Sequence, residues 1–223
     1  MYNVNGNRSK EKSRMKLKPE YALIFGLALS FVATAQVGNN DRLADPNLAE
    51  RNELVPLLGG NEEAVDAILA SRPVLQMLEL DQSLSAFLDE SEREALYADL
   101  FRQINLNSAP REEIMLIPGM SARMAHEFEE YRPYTSLEQF RREMAKYVED
   151  EEVARLEQYV FIPMNLNTAS GADFLTIPGM NDRMVHEFEE YRPYSSMEQF
   201  SREIGKYVDE AEVARLASYV TLD

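Results

Sequence analysis

Apolar residues recur along this chain at intervals of three and four. Met124, Phe128 and Tyr131 are spaced by four and three, and Leu137, Phe140, Met144 and Tyr147 by three, four and three. Each set falls on one face of an α-helix. No stretch alternates with period two for long enough to argue for a strand. Helix ends are marked as well. Asn107 or Ser108 is placed to cap a first short helix carrying Ile114, Met115 and Ile117. Pro118-Gly119 ends it, because proline cannot continue the hydrogen-bond ladder and glycine tolerates positive φ. A second helix starts near Ser121 and stops at Arg132-Pro133. Ser136 followed by Gln139 has the pattern of a capping box, and Asp150 is placed to cap a fourth helix bearing Val153, Leu156, Tyr159 and Val160. The pattern predicts an all-α chain of short helices.

That pattern is itself repeated. Residues 104–163 align with 164–223 without a gap, and 35 of the 60 positions are identical, which makes them copies of one unit. Asn105-Leu106-Asn107 matches Asn165-Leu166-Asn167, and His126 through Tyr134 match His186 through Tyr194 unchanged. At the same offset, Asn47, Gly59, Arg72-Pro73, Leu96 and Phe101 fall on Asn107, Gly119, Arg132-Pro133, Leu156 and Phe161. Residues 44–103 therefore read as a diverged first copy. The junctions at 103–104 and 163–164 carry no linker, which favours stacking over separate beads.

Ahead of the repeats, residues 10–18 are basic, Tyr21 to Val32 are apolar, and Ala33-Thr34-Ala35 offers a small-x-small site. These are the parts of a secretory signal, expected to span 1–35 and to be cleaved after Ala35. The apolar run is short for a membrane span. The rival is an uncleaved N-terminal anchor, the one route to a membrane. Either way the remainder is expected outside the cytoplasm, periplasmic or secreted. Residues 36–43 read as a polar linker. Cysteine is absent, which excludes disulfides, thiolate nucleophiles and Cys-type zinc sites. The net charge of −16 divides into +4 for residues 1–35 and −20 for the rest. A field of that sign favours solubility and repels polyanions at long range.

The segment from Asn105 to Arg132, with its Asn-Leu-Asn-Ser-Ala start and Ile117-Pro118-Gly119-Met120 turn, resembles the helix-hairpin-helix module of the bacterial competence DNA-uptake family. Asn165 to Arg192 is similar to it in the same way. The resemblance implies tandem helix-hairpin-helix (SAM-like) repeats, two hairpins to each of three 60-residue units. It also implies double-stranded DNA as partner, bound without sequence preference. The positions that carry this over are Gly119, Met120, Ser121 and Arg123, and Gly179, Met180, Asn181 and Arg183. Backbone N–H groups at the second helix's N-terminus would face a phosphate, and the helix dipole favours the anion. Where the family hairpin has a second glycine, this chain has Ser121 and Asn181. The second hairpin has no glycine, only Val148-Glu149-Asp150-Glu151 and Val208-Asp209-Glu210-Ala211. The three units carry net charges of −9, −5 and −6.

Arg123, Arg132, Arg141, Arg142 and Lys146 are the candidate cations of the second unit, and Arg183, Arg192, Arg202 and Lys206 of the third. They alternate with Glu127, Glu130, Glu138 and Glu143, and their counterparts, at i,i+3 and i,i+4 spacings, so ion pairing on a solvated face is the competing account. His126 and His186 have carboxylates nearby, such as Glu130 and Glu190 one helical turn on, but one histidine with flexible glutamates in each unit falls short of the three convergent ligands a metal needs. Tyr131, Tyr134, Tyr191 and Tyr194 flank Arg-Pro and suit packing of the turn more than base stacking. Leu58-Gly59-Gly60 lacks the proline and is followed by Glu62-Glu63, a poor anion site. No phosphate-loop, zinc-protease or serine-hydrolase motif is present. The expectation is a non-enzymatic protein without cofactor, metal or small-molecule substrate. The alternative to DNA is an unidentified protein partner, with the chain as a scaffold in an envelope or secretion assembly.

Overall fold

A computed structural model describes residues 36–39 and 42–223, so the export signal expected over 1–35 lies outside the described residues. Twelve helices and four two-residue strands make up the described chain, which is all-α in class. Residues 44–103 hold α1 (Arg51–Leu57), α2 (Glu62–Ala70), α3 (Met77–Leu84) and α4 (Glu90–Tyr97). Residues 104–163 hold β1 (Ile104–Asn105), α5 (Arg111–Ile114), α6 (Ala122–Glu130), α7 (Leu137–Met144), α8 (Asp150–Glu157) and β2 (Val160–Phe161). Residues 164–223 repeat that order with β3 (Met164–Asn165), α9 (Gly171–Phe174), α10 (Asp182–Glu190), α11 (Met197–Ile204), α12 (Glu210–Ala217) and β4 (Val220–Thr221).

Each segment is closed by pairing its start to its end in parallel. Ile104 pairs with Val160, Met164 with Val220, and Ala44 with Leu100. Two residues per strand are too few to leave a period-two pattern, so these strands are not legible in the sequence.

The helix starts follow local chemistry, with corrections. Ser121 caps α6 by accepting the Met124 N–H at 3.1 Å, as expected. Ser136 caps α7, but Gln139 Oε1 accepts from Thr135 N rather than from Ser136 N, so the box is incomplete. Asn107 and Ser108 do not cap α5, whose N-cap is Pro110 without a side-chain bond. Asp150 is the first residue of α8, and Glu149 is its N-cap.

Asn107 instead clasps a strand-like turn 27 residues on. Its Nδ2 donates to Tyr134 O at 2.9 Å, and its Oδ1 accepts from Tyr134 N at 2.7 Å. Arg132 completes the clasp from the other side, with Nε donating to Leu106 O at 2.5 Å and Nη2 to Ala109 O at 2.7 Å. Asn167 and Arg192 make the same four bonds, to Tyr194, Leu166 and Ala169. Asn47 and Arg72 make them to Val74, Pro46 and Ala49. The Arg-Pro peptide is cis in all three segments. The Asn and the Arg-Pro that define the repeat are thus one device, joining the segment's start to the turn between its second and third helices.

The segments are packed together. Buried side chains of the first two form one continuous core, including Leu54, Ile68, Leu80, Phe101, Phe128 and Phe140. The third segment's core of Phe174, Phe188, Phe200 and Tyr219 also takes in Phe161 and Val37. The described part of the expected polar linker over 36–43 is therefore docked at Gln36, Val37, Gly38 and Leu43. Val37 is buried and pairs antiparallel with Phe161, while Ile162 N donates to Gln36 O at 2.7 Å and Gly38 N to Val160 O at 3.0 Å. A Cβ at position 38 would lie 1.7 Å from Glu157 O, so only glycine fits there. The local pattern hides this docking, because Val37 and Leu43 are isolated among polar residues and only the folded repeats offer them a surface.

Between the first two segments, the buried Glu113 accepts the Met77 N–H at 2.6 Å. Burial holds its carboxyl above the ordinary range, opposed by that bond and by nearby Arg102. A carboxyl raised on folding contributes stability below the ordinary glutamate pKa, and that contribution is lost as pH rises through its folded value. Glu113→Gln is expected to flatten this component. Urea midpoints compared from about pH 4.5 to neutrality should show the wild type losing more stability than the variant. Parallel curves would overturn the assignment.

Candidate nucleic-acid interface

The tight turn between α5 and α6 is made by Pro118 and Gly119, the latter at φ +72°, and that between α9 and α10 by Pro178 and Gly179 at φ +75°. An L-residue with a side chain is strained at such angles, which accounts for glycine at both positions. Met120 N closes its turn on Ile117 O, and Met180 N on Ile177 O, both at 3.0 Å. Those two amides are therefore spent inside the turn. Ser121 and Asn181 cap α6 and α10 by accepting from Met124 N and Met184 N. The next amides have no acceptor among the described residues: Ser121, Ala122 and Arg123 in one copy, Asn181, Asp182 and Arg183 in the other. These are the orphan donors that any helix N-terminus exposes, the helix itself contributing two per turn here.

Arg123 and Arg183 stand on the first turns of α6 and α10, exposed, and neither forms an ion pair among the described residues. The other candidate cations are engaged. Arg132 and Arg192 serve the clasp, and burial pushes the Arg132 guanidinium below its ordinary range. Arg141 binds Glu157 through Nε at 2.5 Å and Nη2 at 2.7 Å. Arg142 and Lys146 share Glu143, and Arg202 and Lys206 share Glu203. The bonds from Lys146 and Arg142 hold the Glu143 carboxyl below the usual range. The i,i+3 pairing legible in the sequence forms at Lys146 with Glu143 and Lys206 with Glu203, whereas Arg142 and Arg202 bind the adjacent glutamate and Arg141 reaches Glu157 sixteen residues on; the two arginines at the turns have no carboxylate partner among the described residues.

The two turns differ in their surroundings. A Cβ added at Gly119 would meet only Arg155 Nη2, at 3.8 Å. One added at Gly179 would lie 3.0 Å from a methyl of Leu48, in the first segment, and 3.5 Å from Arg215 Nη2. Arg215 is 2% exposed and donates to Pro178 O at 2.8 Å. Ser108 and Thr168 occupy the place of Leu48 in the other copies, so an aliphatic residue there is the one sequence signal for this contact. The first segment's own turn has Gly59 and Gly60 at φ +59° and +85°, and Arg51 binds Glu62 and Asp66 beside it.

The histidines lie on the surface, His126 at 3.1 Å from Glu130 and His186 at 3.5 Å from Glu190. No group of three or more metal-ligating side chains occurs among the described residues. Tyr134 and Tyr194 are buried against Phe140 and Phe200. Tyr131 and Tyr191 instead hydrogen-bond hydroxyl to hydroxyl with Tyr147 and Tyr207, at 2.7 and 2.8 Å. A trough beside α8 is bordered by Glu149, Asp150, Glu151, Glu152 and Glu157 and by Arg42, Arg141 and Arg155, of which Arg141 binds Glu157 and Arg155 binds Glu152, so its lining carries a net negative charge. Among the described residues, no helix is long and apolar enough to cross a membrane. No family model, curated protein or solved structure matches the chain.

Proposed function

We propose that this chain is an exported, non-enzymatic tandem helix-hairpin-helix protein that holds the backbone of double-stranded DNA weakly and without sequence preference. What carries the reading is the coincidence, at the same place in two copies, of three features. These are a positive-φ glycine turn, two helix-start amides without acceptors, and an exposed arginine without a carboxylate partner. Amides and dipole at a helix N-terminus suit a phosphate, and the arginine supplies the charge.

The expected affinity is low. With one free arginine per turn, two phosphates are neutralised, and the slope of log K against log salt is about −1.8. Raising salt from about 50 to about 200 mM then weakens binding about twelvefold, far less than the roughly 10³–10⁵ of proteins making 6–10 phosphate contacts. A titration of duplex DNA across that salt range is expected to give this shallow slope, and Arg123→Glu to weaken binding about tenfold or more. Absence of binding at the lowest salt would sink the proposal.

A second reading has its own support. The other candidate cations of the second and third segments are spent on carboxylates or backbone carbonyls, and the Gly179 turn already seats a leucine of its own chain. A turn that packs against protein suits a scaffold whose partner is another protein. Failure to bind DNA in the titration above would leave this reading standing.

A further inference from the structure

The second and third copies share nine-residue helices with the same arginine, yet only one of those arginines is held. The Arg123 guanidinium lies 5.9 Å from the centre of the Tyr147 ring, and no aromatic ring lies under Arg183 among the described residues. Tyr147 ends the α7 stripe and is fixed on its far side. Its hydroxyl meets that of Tyr131 at 2.7 Å, the two rings are 6.5 Å apart, and Lys146 Nζ sits 4.7 Å over the Tyr131 ring. Bonding to the Tyr131 hydroxyl and to the Glu127 carboxylate pushes the Tyr147 phenol up.

Glu127 is the residue one helical turn after Arg123, the spacing at which an arginine and a glutamate on a helix pair. Here it is largely buried and forms no ion pair with Arg123. The ring of Tyr147 offers its face to the guanidinium on the side away from Tyr131. A guanidinium stacked on an aromatic face keeps its N–H edge free for a phosphate.

We propose that Tyr147 is a positioning residue for Arg123: its ring holds the guanidinium oriented beside the open amides of Ala122 and Arg123. This rests on the DNA-backbone reading and makes the second copy's turn the stronger of the two sites.

The experiment combines duplex DNA titration at low salt with side-chain NMR of the full chain. In the wild type, the Arg123 side-chain protons are expected to be shifted upfield by the Tyr147 ring. Tyr147→Leu is expected to abolish that shift and to weaken duplex binding about threefold, the scale of one cation–π contact. The same substitution is expected to add nothing in an Arg123→Ala background. Tyr147→Phe, which keeps the ring, is expected to keep the shift and recover part of the binding. Arg183→Ala is expected to weaken binding less than Arg123→Ala.

An unshifted Arg123 in the wild type overturns the positioning role, whatever the DNA result. So does a Tyr147→Leu loss that adds fully to that of Arg123→Ala, since that would be a structural effect elsewhere. A chain that shows the ring-current shift but binds no DNA overturns the function and keeps the geometry. If Tyr147→Leu does not fold, Tyr147→Phe and the wild-type shift still decide.

Discussion

Asn107→Ala is expected to lower the unfolding free energy by about 2–4 kcal/mol, because it strands two backbone groups at once. Tyr134 is buried, and its N–H and C=O both depend on the one amide of Asn107. An orphaned buried donor or acceptor costs about 1–3 kcal/mol, discounted here because Asn107 itself is half-exposed. Asn107→Asp is expected to cost at least as much. It keeps the acceptor for Tyr134 N but sets a carboxylate oxygen against Tyr134 O. Urea unfolding of both variants checks this, and a loss below about 0.5 kcal/mol for either would show that water replaces the clasp. The result matters for function because this Asn carries the family resemblance. Its place in the sequence is explained by folding alone, so its presence argues for the architecture and not for DNA.

Arg102→Ala is expected to be the more damaging change, by about 3–5 kcal/mol. Arg102 is 3% exposed and lies where the first segment meets the third. Its guanidinium sits 5.5 and 5.2 Å from the Phe161 and Tyr219 ring centres, and its Nη2 donates to Ser218 Oγ at 2.6 Å. Nη1 donates to Gln103 O at 2.6 Å. Truncation removes both stacks and leaves a cavity between segments. Asp45, itself buried and raised by that burial, loses one of the two cations, Arg215 and Arg102, that oppose the shift. For a domain of this size the melting temperature should fall by roughly 10 °C. The loss is expected to be accompanied by faster proteolysis within residues 44–103, the segment that Arg102 fastens. Unchanged proteolysis there would mean that the segments are held together by the apolar core alone.

The differences between copies explain why such residues are hard to find. The counterparts of Arg102 are Ile162 and Leu222, so the repeat marks position 102 as apolar. An arginine there looks like an ordinary surface substitution until Phe161 and Tyr219 are brought to it from 59 and 117 residues away. The same holds for Leu48, whose partner Gly179 lies in the third segment. Local signals are dependable where the partner is local. Ser121 and Ser136 cap the helices their spacing assigns to them, and Pro118-Gly119 turns the chain where expected. They fail where a long-range bond competes for the same side chain, as at Asn107.

The candidate site divides along the same line. Its residues are legible, because Gly119, Ser121 and Arg123 recur as Gly179, Asn181 and Arg183 at a constant offset. Which cations are free is not legible. Arg123 and Arg142 stand in the same alternation of Arg and Glu, yet one keeps its charge for solvent while the other spends it on Glu143.

By itself the sequence determined the helical class, the 60-residue period and the turn positions, since each is written in spacings of a few residues that backbone geometry reads directly. Tertiary structure decided the rest. It converted the Asn and Arg-Pro motifs into a clasp, drew Val37 out of an apparent linker into the third segment's core, and closed each segment with strands too short to leave a pattern. It also singled out Arg123 and Arg183 from the other candidate cations of the second and third segments. Those outcomes depend on which groups meet across distances of tens of residues, and no local spacing encodes a meeting that only packing creates.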